Sequence, residues 1–184
     1  MEGRSYSVGL VGTGYIAQYH AKALQHVPGA ALVAACDVSA RRASDFAAAH
    51  NIAAYGSVEA MLENEALDVV HVLTPPQHHF AAGRTVLDAG AHLFVEKPLC
   101  TQAAECECLL ELAEQKGVRL GTNHNFLFHS AYERLRNDVR GGLIGAIDHI
   151  AITWALELPQ VRNGPFDTWV LQDPTHVLLE IGPH

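Results

Sequence analysis

Short apolar runs alternate with longer amphipathic stretches up to about residue 122. The runs at 8–11, 31–36, 69–73, 92–95 and 118–122 read as strands. Between them apolar residues recur at helical spacing over 16–26, 40–50, 58–63, 79–89 and 103–116. Strands that are apolar along their whole length need cover on both faces, and helical crossovers supply it. The pattern therefore predicts an α/β fold, a doubly wound parallel sheet spanning residues 1–122. Gly90 and Gly117 each stand where a left-handed cap would close a helix, and Thr101 stands where an N-cap would open the helix at 103–116.

Beyond Thr122 the texture changes. An aromatic and polar stretch is followed by a helical pattern at 131–140, which Gly141-Gly142 ends. Residues 147–156 read as a long strand, 159–174 as a loop, and 176–181 as a final apolar segment. A lone helix and strand cannot bury their apolar faces without more sheet. Residues 123–184 are thus expected to be the beginning of a second, α+β domain, with the chain stopping inside it.

Composition narrows the classes of function. With 12 Lys and Arg against 20 Asp and Glu, the net charge is −8 and no basic run exists, which excludes a nucleic-acid footprint. The apolar runs are too short to span a bilayer. The strand pattern begins almost at the first residue, so no signal peptide is expected. The four cysteines match no zinc spacing and read as reduced thiols of a cytoplasmic protein, with no metal site. The 12 histidines are mostly scattered singly.

The segment Gly12-Thr13-Gly14-Tyr15-Ile16-Ala17 fits G-x-G-x-x-A between a strand and a helix, the context that a dinucleotide-binding loop requires. Gly12 permits the tight turn, Gly14 allows a pyrophosphate close to the backbone, and Ala17 keeps helix near strand. The N–H groups near Tyr15 and Ile16 would face the phosphates. Asp37 ends the second strand, 20 residues beyond Ala17, where a carboxylate accepts bonds from the adenosine ribose. Its charge favours NAD. Arg41 and Arg42 follow closely and could host a 2′-phosphate, so NADP stays open.

Two further motifs follow strands at their carboxyl ends, where ligands bind in such sheets. They are Thr74-Pro75-Pro76-Gln77-His78-His79 and Glu96-Lys97-Pro98. Together with the glycine loop they resemble the glucose–fructose oxidoreductase, inositol dehydrogenase and rhizopine-catabolism family (Gfo/Idh/MocA), from about Val8 to the last residue. The resemblance implies that Lys97 lies between nicotinamide and substrate and stabilises charge on the reacting oxygen. It places Glu96 near the nicotinamide ribose, sets Thr74, Pro75 and His79 along the cofactor, and makes Pro98 a cis-proline. The stretch from Asn125 to Tyr132 is similar to the family's N-x-R-F-x-P-A-Y. Asn125 and Phe128 match, while Leu127 and Ser130 replace the arginine and proline; Asn125 is carried over as a substrate contact.

The family's D-x-x-x-H pair corresponds to Glu180 and His184, glutamate standing for aspartate. An imidazole titrating near pH 6.5 suits proton transfer from a substrate hydroxyl. The expected function is an NAD(P)-dependent oxidoreductase acting on a secondary alcohol or ketone of a sugar, polyol or related compound, with a homo-oligomer for a full-length version. Two alternatives stand beside it: a dinucleotide-binding module without activity, and an NAD-dependent glycosidase of the same family.

Overall fold

The computed structural model describes residues 5–153 and 155. The chain divides into two compact units between Asn123 and His124. The first alternates strand and helix: β1 (Tyr6–Val11), α1 (Tyr15–Leu24), β2 (Ala30–Cys36), α2 (Ala40–His50), β3 (Ala53–Tyr55), α3 (Val58–Asn64), β4 (Val69–Val72), α4 (His79–Asp88), β5 (His92–Val95), α5 (Ala103–Lys116) and β6 (Leu120–Thr122). The six strands form one sheet in the order β3-β2-β1-β4-β5-β6. Every pairing is parallel. The order reverses between β1 and β4, so their carboxyl-end loops part and open a crevice.

Each face of the sheet carries its own core. Val8 and Leu10 of β1 bury against Ala17, Ala21 and Leu24 of α1, with Phe46 of α2. Val70, Val72 and Leu93 bury with Val86 and Leu87 of α4 and Leu109 of α5. The continuous apolar strands seen in the sequence are thus sheathed twice, as a parallel sheet requires. Gly83 lets α4 approach closely: a Cβ there would stand 2.9 Å from a Leu93 methyl.

Three details differ from the sequence reading. The short edge strand β3 was not foreseen. Gln102, not Thr101, is the N-cap of α5, and it makes no side-chain cap bond. In the second unit, a 3-10 turn (Asn125–Phe128) leads into α6 (Ser130–Arg140), but the strand expected over 147–156 does not form at 147–153 or 155. A strand exists only by exchanging hydrogen bonds with a neighbour, and the described residues of this unit contain no second strand. The expected loop at 159–174 and apolar segment at 176–181, with Glu180 and His184, lie outside the described residues. Among the described residues no helix is long and apolar enough to cross a membrane.

Candidate functional site

The crevice is built from the glycine loop upward. Gly12 follows β1 with φ +91°, and a Cβ there would sit 3.2 Å from the Leu73 carbonyl. Both the backbone angle and the space therefore demand glycine. Gly14 is the N-cap of α1, and no atom lies within 4 Å of where its Cβ would be. The first-turn N–H groups at Tyr15 and Ile16 have no intrahelical partner. Neither a capping side chain nor an acidic residue occupies that turn. The helix end is open to an anion. The Tyr15 ring turns outward, 77% exposed, and meets Tyr19 edge-on at 5.1 Å.

Asp37, at the carboxyl end of β2, is buried. Its Oδ2 accepts from the Thr13 N–H at 3.0 Å, the Thr13 hydroxyl at 3.0 Å and Arg42 Nε at 3.2 Å. Its Oδ1 accepts from the Ser39 N–H at 2.8 Å and Arg42 Nη2 at 2.7 Å. Burial alone would raise this carboxyl, but the guanidinium and the Ser39 and Thr13 donors outweigh it and hold the pKa at about 2. Asp37 is therefore a fixed anion at the rim.

A cavity of about 650 Å³ runs between these loops, lined by Gly12, Gly14, Asp37, Arg42, Thr74 and Pro75. The Thr74 hydroxyl is buried with no hydrogen-bond partner among the described residues. Such an orphan is costly unless a ligand satisfies it. An open helix terminus, a rim carboxylate and an unmet hydroxyl fit a dinucleotide.

His79 stands off the cavity wall, which His78 lines instead. It is fully buried, with Nε2 2.7 Å from the Thr74 carbonyl and Nδ1 2.8 Å from that of Pro98. It therefore ties the Thr74 loop to the Glu96-Lys97-Pro98 turn. Burial lowers its pKa, against the pull of the carbonyls around it. The Lys97–Pro98 bond is cis, as the resemblance implied.

Glu96 points into the fold. Its Oε1 accepts from Asn123 Nδ2 at 2.6 Å and lies 2.9 Å from His20 Nε2, while Oε2 accepts from the Lys97 N–H at 3.2 Å. Burial would raise its pKa, but His20, Asn123 and the Lys97 N–H keep it below the ordinary value. Lys97 itself is 8% exposed, just beyond β5. Asn125 opens the 3-10 turn of the second unit and is exposed.

Six of the residues singled out in the sequence thus meet on one cavity, and three more, His79, Glu96 and Lys97, are buried at neighbouring strand ends. Thr13, His20, His71 and Asn123 were missed. Thr13 lies inside the glycine motif, and His20 interrupts an apolar helical face; both were visible as anomalies.

Residues 6–124 match the model of GFO_IDH_MocA, described as an oxidoreductase family with an NAD-binding Rossmann fold. The chain belongs to the Gfo/Idh/MocA family. This Gfo/Idh/MocA chain is 30% identical over 128 residues to UDP-N-acetylglucosamine 3-dehydrogenase of Acidithiobacillus ferrooxidans, covering 70% of this chain and 40% of that protein. It is 31% identical over 142 residues to inositol 2-dehydrogenase of Salmonella typhimurium, covering 74% and 42%. Among solved structures it resembles the WlbA dehydrogenase of Bordetella pertussis, a complex with NADH and UDP-GlcNAcA. That match has a TM-score of 0.73 and 27% identity, covering 76% of this chain and 43% of that one. The chain spans about two fifths of the length of the curated relatives it matches. Its first unit is an NAD-binding Rossmann domain.

Proposed function

We propose that this Gfo/Idh/MocA chain serves hydride transfer between a nicotinamide dinucleotide and a secondary alcohol or ketone of a sugar, polyol or related compound. The observation that carries the reading is the convergence at the switch point: the cavity with its unmet Thr74 hydroxyl, tied through His79 to the turn that presents Lys97. The substrate class is supported by the names of the relatives, which act on UDP-N-acetylglucosamine and inositol.

Gly12, Gly14 and the first turn of α1 hold the diphosphate. Asp37 takes the adenosine ribose and selects NAD over NADP. Thr74 and Pro75 line the cofactor, which supplies or receives the hydride when bound. Lys97 hydrogen-bonds the reacting oxygen and stabilises its developing charge. His184 takes or returns the hydroxyl proton and Glu180 orients it; both roles rest on the family resemblance. The four free cysteines fit a cytoplasmic enzyme, and the full-length version is read as a homo-oligomer.

The test is Lys97→Ala, assayed with NAD on inositols, aldoses and UDP-sugars by NADH absorbance, with ADP-ribose binding as control. Turnover should fall by about 10²–10³-fold, the scale of losing one stabilising donor, while ADP-ribose affinity stays. Unchanged turnover and cofactor affinity would sink the assignment of Lys97.

A further inference from the structure

A hydrogen-bonded group of polar side chains crosses the sheet beside the site, and the roles assigned so far do not use it. His20 sits on the buried face of α1 with Ala17, Ala21 and Leu24. Its Nε2 lies 2.9 Å from Glu96 and its Nδ1 lies 3.1 Å from Nδ1 of His71 on β4. Phe94 of β5 packs beside both rings, with centroids 6.1 Å from His20 and 5.0 Å from His71. Helix α1, strand β4 and the turn after β5 are thereby joined by one set of polar contacts.

The direction of those contacts follows from chemistry. A carboxylate only accepts, so His20 Nε2 carries the proton and donates to Glu96. With a neutral His20, Nδ1 is then a lone pair, and His71 Nδ1–H donates to it. Glu96 in turn accepts from the backbone N–H of Lys97. The carboxylate therefore fixes the peptide of the residue proposed to meet the substrate. An apolar trio of equal volume would pack here without the desolvation cost of a buried acid, so packing alone does not explain the choice.

We propose that His20 is a positioning residue: it couples the phosphate-binding helix α1 to the Glu96-Lys97 turn and thereby registers Lys97 with the nicotinamide end of the dinucleotide. The inference rests on the dinucleotide reading of the cavity. The strands that lead into them, β1 into the helix that grips the diphosphate and β5 into the turn that presents the lysine, flank β4. The His20–Glu96 bond joins them directly, so a shift of one is transmitted to the other.

The experiment compares NADH with ADP-ribose, which lacks nicotinamide, by calorimetric titration of the full chain. In His20→Leu, ADP-ribose should bind within about twofold of wild type, while the advantage of NADH over ADP-ribose shrinks by about tenfold, since only the nicotinamide end loses its placement. His20→Gln, whose amide can donate where Nε2 did, should restore most of that advantage. If both ligands weaken together, if neither changes, or if Gln fares no better than Leu, the positioning role is overturned. Should His20→Leu not fold, His20→Gln against His20→Asn, too short to reach Glu96, gives the same contrast. An NADH advantage that is absent already in wild type overturns the proposal and leaves the dinucleotide site standing. Failure of wild type to bind ADP-ribose removes the dinucleotide reading itself.

Discussion

Each oxygen of Asp37 is already engaged by the protein, and this decides how a ribose can enter. The Thr13 and Ser39 donors are held by the backbone, whereas the Arg42 side chain is 58% exposed and can leave. A ribose diol would take over the two guanidinium contacts on Asp37, and the freed guanidinium would lie beside the ribose edge. Asp37→Ala should therefore weaken NADH by about 1.5–3 kcal/mol, the range for hydrogen bonds to a charged group. It should also shift the ratio of NADH to NADPH affinity toward NADPH, because Arg42 loses its competing partner. Titration of both dinucleotides against wild type and variant measures the ratio. An unchanged ratio would remove Asp37 as the selector.

At the scale of elements, packing is tight where α4 crosses β5 and α5. A Cβ at Gly83 would lie 2.9 Å from Leu93 Cδ2 and 3.3 Å from Leu109 Cδ1, and both leucines are buried. Gly83→Val should destabilise the fold by about 1–3 kcal/mol through overpacking. A lower urea midpoint with ADP-ribose affinity kept at low urea would show this; an unchanged midpoint would mean that the core yields. The elements here were legible because period and punctuation agreed. Helices 40–50 and 103–116 and strand 92–95 carry clear patterns between Gly and Asp breaks, and the structure keeps those bounds. β3 was invisible since three residues, two of them alanine, hold no period. Asp37 could be read from its distance to the glycine loop, whereas the partners of His20 lie on β4 and after β5, and no local spacing records them. Glu96 was legible as part of a motif, but its inward turn toward His20 and Asn123 is a tertiary choice.

For the whole molecule, His71 and His79 set the response to acid. His71 has its pKa pushed down from 6.5 to about 4, by burial first and then by His20, and burial lowers His79 as well. The unfolded chain takes up these protons below pH 6.5 while the folded one refuses them, so stability present above 6.5 is lost as pH falls toward about 4. Asp37 adds a second step: its stabilisation is complete above pH 3.8 and is lost as pH falls through about 2. Urea unfolding free energies measured across this range should decline with acid. His71→Phe should flatten the first limb, by up to about 1.4 kcal/mol per pH unit, the slope of one proton. An equally steep limb in the variant would show that His71 is protonated in the native state. The reversal of strand order at the crevice also governs how the molecule is made. Val8 of β1 stands opposite Val69 of β4, so the two walls of the cavity come from distant chain segments. Such non-local pairing closes a long loop and is slow to nucleate. The glycine loop therefore acquires its opposite wall only when the two halves of the sheet dock, and a dinucleotide acts as a latch on the finished domain rather than as a template for its early folding.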